Sequence, residues 1–148
     1  MCIVSRYQQP YFTSMPKSGT PTFEHRVAII PSDIDDMGHV NNAVYLRWVQ
    51  EVVVRFWQHI SSVDTQEGLL WVALKHEIVY HKPLFFNDEV DIAVTATGTR
   101  GSRASFLTIF KRGEDIVAEV RSSWCCVDAA TRRPKRIAYD IVRRFMPN

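Results

Sequence analysis

The chain has 148 residues, 46% of them apolar, and a formal net charge of +2. That length suffices for one domain with a sizeable core and calls for no second one. So small an excess of scattered Lys and Arg argues against a nucleic-acid binder, and no run of about 18 apolar residues is present to span a membrane. The N-terminus lacks the charged-then-apolar order of a signal peptide, so a soluble cytoplasmic protein is expected. The three cysteines include the neighbours Cys125 and Cys126, which do not make a disulfide framework. They read as small buried hydrophobes rather than catalytic thiols, since no histidine lies beside them. The histidines and cysteines show no metal-ligand spacing, and no metal is expected.

Residues 1–22 mix Gln, Pro, Ser, Thr and Gly without periodicity and read as a flexible arm; residues 23–148 form the domain. Residues 23–30 read as a first strand. A polar loop follows, and then an apolar helix over 43–60, in which Tyr45, Trp48, Val49, Val52, Val53, Phe56 and Ile60 recur at helical spacing. Val44, Val54 and Trp57 widen that stripe, as expected of a helix wrapped by a sheet. After a turn or short helix at 64–68, strands are predicted over 71–85, 89–99, 104–112 and 116–128, with turn-rich breaks suggesting successive antiparallel hairpins. A helix over 139–145 closes the chain. One long helix against five antiparallel strands is an α+β architecture, and its bare sheet face and edge call for a second copy.

The loop carries the chemistry. Ser32-Asp33-Ile34-Asp35-Asp36-Met37-Gly38-His39-Val40-Asn41-Asn42 brings carboxylates, an imidazole and two amides to the start of the helix, where backbone N–H groups are free and Asn41 or Asn42 can cap. Asp33, a short carboxylate, suits closing the turn, and Asp36 suits the solvent side.

Asp33-x-Asp35-x-x-Gly38 followed by His39-Val40-Asn41-Asn42, then Tyr45 and Trp48, resembles the opening signature of the hotdog-fold thioesterases. The Asp-x-Asp-x-x-Gly is similar to that of the 4-hydroxybenzoyl-CoA thioesterase group, and His-Val-Asn-Asn to that of the plant acyl-ACP thioesterases. The resemblance covers residues 23–145 and implies a hotdog fold, a five-stranded antiparallel sheet around one long helix. It also implies a homodimer or a dimer of dimers with active sites between protomers, an acyl-CoA or acyl-ACP substrate, and no cofactor beyond the coenzyme A of the substrate itself. Asp35 takes the place of the catalytic carboxylate, as nucleophile or as general base on water. The Asn42 N–H at the helix start would hold the oxyanion. His39 could orient water or protonate the leaving thiolate, or be a loop histidine bonded to backbone. The chain departs from its relatives at Met37, where the plant enzymes have a catalytic asparagine, and at Asn42, where the 4-hydroxybenzoyl enzyme has tyrosine.

Substrate contacts are expected from Tyr45, Trp48, Val49 and Trp71 around the acyl group, and from Glu77 or its neighbour His76 across the interface. Arg100 and Arg103 are candidates for the phosphates, with Lys82 and the basic run at 132–136 behind them. A hydratase or dehydratase, or a non-catalytic acyl-thioester-binding module, are the alternative functions.

Overall fold

The computed structural model describes residues 19–147, so nearly all of the expected N-terminal arm lies outside the described residues. Strand β1 (Thr22–Val27) leads through a 3₁₀ turn (Pro31–Asp33) and the motif loop into helix α1 (Asn42–Ile60). A short helix α2 (Val63–Gly68) precedes β2 (Leu69–Tyr80), β3 (Val90–Arg100), β4 (Arg103–Arg112) and β5 (Asp115–Asp128), and α3 (Tyr139–Phe145) ends the domain. All five strands form one antiparallel sheet in the order β1-β3-β4-β5-β2 around α1, the expected hotdog layout.

Three expectations need correction. The first strand stops at Val27, because Ile30 turns its N–H to the Asp33 carboxylate (3.1 Å) and Pro31 opens the 3₁₀ turn. The second strand ends at Tyr80, five residues early, because both His81 and Lys82 donate to the Val117 carbonyl and Pro83 has no N–H to give. Only β3, β4 and β5 form successive hairpins. β2 crosses to the far side and pairs with β5, which leaves β1 and β2 as the two edges.

The core lies between α1 and the concave face of the sheet. Val90, Ile92, Val94 and Ala96 of β3 alternate with polar or half-exposed neighbours and pack inward, as period-2 patterning requires. They meet Val44, Tyr45, Trp48, Val49, Val52, Val53, Phe56 and Trp57 of α1. Val54, expected in the buried stripe, is exposed instead, because α1 keeps a bare flank on the β2 side. The opposite flank faces β1, where Glu51 meets His25 and His59 meets the Phe23 ring. Among the described residues no helix is long and apolar enough to cross a membrane.

Candidate active site

The motif loop is a closed turn. Asp35 N–H donates to the His39 carbonyl (2.9 Å) and Gly38 N–H to the Asp35 carbonyl (3.0 Å), while Ile34 and Val40 form a bridge beneath them. The turn needs φ of +82° at Gly38, which glycine adopts without a Cβ penalty. Two further bonds pin it, from Val40 N–H to the Leu84 carbonyl and from Asn41 N–H to the Asp33 carbonyl, each 2.8 Å.

Within this turn the two aspartates do separate work. Asp33 is buried, with Oδ1 accepting from Arg47 Nη2 (2.7 Å) and Oδ2 from Ile30 N–H, so it ties the loop to α1. Asp33→Ala would leave both donors without their acceptor. The expected loss of stability is roughly 1–3 kcal/mol, read from urea melts, with Arg47's half-exposed position keeping it at that level.

Asp35 is aimed elsewhere. Its Oδ1 accepts from Met37 N–H (2.9 Å) and more weakly from His39 N–H (3.4 Å), and its Oδ2 lies 3.3 Å from His39 Nδ1. Both groups near Nδ1, this oxygen and the Val40 carbonyl at 3.4 Å, are acceptors. Nδ1 is therefore the donor toward these two oxygens, which in the neutral ring leaves the lone pair on Nε2. Asp36 is exposed, as expected.

The start of α1 completes the constellation. Asn41 is the cap, its Oδ1 accepting from Ala43 N–H at 2.9 Å. Asn42 is the first helical residue, and its N–H has no acceptor among the described residues, so it is available at the positive end of a 19-residue helix. Tyr80, a residue that sequence reasoning missed, donates its O–H to the Asn42 carbonyl (3.0 Å) and anchors this first turn to β2. Its position on a distant strand gave no local signal.

The other candidates scatter. Tyr45 and Trp48 do not line an open pocket; each is 2% exposed, they meet edge-on, and against Phe110 Tyr45 stands edge-on and Trp48 tilted. Burial in that cluster raises the Tyr45 hydroxyl far above its usual pKa. Glu77 points to the face of the sheet away from α1 and pairs with Lys75 (3.6 Å), whereas His76 takes the inward side against Trp124. Arg100 and Arg103 flank the β3–β4 turn, at the opposite end of the sheet from the motif loop, so one chain does not bring them together with Asp35. Lys82 pairs with Asp115 at 3.0 Å.

Cys125 and Cys126 are buried. Desolvation, with a smaller contribution from Cys125, pushes the Cys126 thiol up to about 11. Alkylation of native protein at pH 8 should therefore leave Cys126 unmodified by mass spectrometry until denaturant is added. Among the described residues no group of three or more His, Cys, Asp or Glu side chains is placed to hold a metal ion.

Comparison with known proteins bears on the fold and the family. A thioesterase from Thermus thermophilus, complexed with coenzyme A and Zn, has a similar structure, with a TM-score of 0.75, 25% identity, and coverage of 86% of this chain and 93% of that one. A 1,4-dihydroxy-2-naphthoyl-CoA thioesterase from Synechocystis superposes with a TM-score of 0.73 at 14% identity over 86% of this chain and 97% of its own. The Staphylococcus aureus protein SAV2348, in complex with CoA, does so with a TM-score of 0.74 at 15% identity over 90% and 85%. Comparison with curated protein sequences gives no match. A protein-family model described as the thioesterase-like superfamily matches residues 29–145, from just after the first strand to the end of the last helix, and the chain belongs to that superfamily.

Proposed function

We propose that the protein hydrolyses an acyl-CoA or acyl-ACP to the free acid and thiol, with Asp35 as nucleophile or general base. The observation that carries this reading is the juxtaposition in one hydrogen-bonded turn of a half-buried carboxylate, an imidazole 3.3 Å from it and, among the described residues, an unpaired N–H at the start of α1. Attack on a thioester carbonyl pushes negative charge onto its oxygen. A fixed N–H at a helix start meets that charge without reorganising, and losing such a donor typically costs about 100-fold to 1000-fold in rate. His39 Nε2, its tautomer set by Asp35 and Val40, is free to exchange a proton with water or with the departing thiolate.

The site is completed by a second copy in this reading. β2 is an unpaired edge, and Val72 and Leu74 on it are exposed, as are Leu46 and Val54 on the adjoining flank of α1. Antiparallel pairing of two β2 edges about a two-fold axis covers this strip and joins the sheets. The same operation carries the β3–β4 turn of the second copy to the motif end of the first. The partner subunit's Arg100 and the partner subunit's Arg103 then supply guanidinium groups to the phosphates of coenzyme A, which Arg100 and Arg103 of the same chain are too distant to do.

The test is release of free thiol from a panel of short, long and aromatic acyl-CoAs, with the mass in solution measured alongside. Saturable hydrolysis by a dimer or larger oligomer is expected. Turnover of acyl-ACP alone would move the carrier assignment, and no turnover on either carrier would leave a binding module.

A further inference from the structure

A net charge of +2 conceals a separation of charge along the sheet. Away from the β3–β4 turn the cations are matched: Arg26, Arg47, Arg55, Lys75, Lys82 and Arg112 each have a carboxylate between 2.7 and 3.6 Å away. At the turn the matching stops. Arg100 and Arg103 are exposed and stand opposite each other across the hairpin, like charges in register. Among the described residues neither has a carboxylate within ion-pair distance.

The segment after β5 adds to this end. Where β4 has turned away, residues 133–135 take its place beside β5. Asp128 N–H donates to the Arg133 carbonyl (2.8 Å), Lys135 N–H donates to the Cys126 carbonyl (2.9 Å), and Pro134 bridges to Val127. Ile137 N–H reaches the Gly101 carbonyl (2.9 Å), which ties the segment to the β3–β4 turn itself. Asp128 also shapes the turn that leads in. Its Oδ1 accepts from the Ala130 and Thr131 N–H groups (each 2.9 Å), and Arg132 follows at φ +61°, a left-handed backbone that residues other than glycine seldom adopt. Side chains alternate along the segment, so with Ile137 buried Arg136 turns to the outer face of the sheet, as Arg103 does beside the inward Ala104. Arg132, Arg133 and Arg136 are exposed and, among the described residues, have no carboxylate within ion-pair distance; Lys135, 3.8 Å from Asp128, is the exception.

Arginines gathered without counter-charge repel one another, so an anion from outside the chain stabilises this end. The outer face is the convex side of the sheet, away from α1, and small ligands are held in concave sites. An exposed strip of guanidinium forks is instead suited to the carboxylates of another protein's surface. We propose that this strip docks an acidic carrier protein that presents its acyl group on a phosphopantetheine arm, with Arg132, Arg133 and Arg136 meeting its carboxylates. The proposal rests on the thioester reading of the motif loop and on the pairing of β2 edges, which brings this end of one copy to the motif end of the other. The phosphate of the arm then falls to Arg100 and Arg103, and the thioester reaches the neighbouring motif loop.

The contact is tested without the arm, by calorimetry of apo acyl carrier protein against the full chain at low and at high salt. Wild type is expected to bind at low salt and to lose affinity as salt screens the contact. The variant carrying Arg132→Glu, Arg133→Glu and Arg136→Glu together should bind roughly tenfold or more weakly. If a thermal melt shows that this variant has not folded, Arg136→Glu alone gives the answer. The proposal is overturned by no binding to wild type, by equal binding to the variant, or by equal binding of an unrelated acidic protein of the same net charge. Retention of wild type on phosphatidylglycerol vesicles, with no affinity for the carrier, also overturns it and assigns the strip to an anionic membrane surface. Carrier binding by a protein that releases thiol from neither acyl-ACP nor acyl-CoA would keep the docking surface and sink the thioesterase reading; hydrolysis without carrier binding would do the reverse.

Discussion

Asp35→Asn is expected to keep the fold and the affinity for coenzyme A while losing roughly 1000-fold in kcat. The amide is nearly the same size as the carboxylate, and its oxygen can still accept from the Met37 and His39 N–H groups that hold the turn. What disappears is the negative charge, and with it both catalytic routes, since an amide neither attacks a carbonyl nor takes a proton from water. The new NH₂ also faces the protonated Nδ1 of His39, donor against donor, so the imidazole loses its orientation. Thiol release measured beside a thermal melt separates these effects from unfolding. The exposed neighbour serves as a control, with Asp36→Asn expected to be indistinguishable from wild type. Undiminished turnover in Asp35→Asn would place the chemistry elsewhere in the loop.

Trp48→Ala should act on stability instead, destabilising the fold by about 3–5 kcal/mol. Trp48 is 2% exposed and sits between Tyr45 (5.5 Å) and Phe110 (6.1 Å) at the centre of the helix–sheet interface. Truncation removes a bicyclic ring from close packing that collapses only in part, so a void remains beside rings that lose their dispersion partner. For a domain of this size, that corresponds to a fall in Tm on the order of 10 °C by calorimetry. A residue lining an acyl pocket would behave differently, changing the preference between short and long acyl groups with little change in Tm. That outcome would return Trp48 to the substrate site.

These two residues belong to the same signature, and they show which contacts a local reading of the sequence can reach. Asp35 is legible because its partners are local: a glycine three residues on, a histidine four on and a helix start just beyond, all joined by short-range bonds. Trp48 is ambiguous because helical spacing places it on the apolar face without saying whether that face meets sheet or substrate.

Glu77 and His76 show the same limit in a strand. Counted by twos from the inward Trp71, the residues facing α1 would be Ala73, Lys75 and Glu77. The irregularity in pairing between Ala73 and Lys75 adds one residue at Leu74 and flips every side chain after it, which turns His76 inward and sends Glu77 to the outer face. Nothing in the local composition of β2 announces that bulge.

Local sequence is enough to specify the motif turn, the long helix, the approximate extent of the strands and the superfamily, because each is written in periodicity, turn chemistry or short-range spacing. Long-range pairing is what takes β2 away from β3 to lie beside β5, puts Arg100 and Arg103 at the far end of the sheet from Asp35, and makes Tyr45 and Trp48 core. It also turns His76 and Tyr80 toward the helix. Those outcomes depend on packing between segments tens of residues apart, where the free energy of closing the core selects one register among several that the local pattern permits.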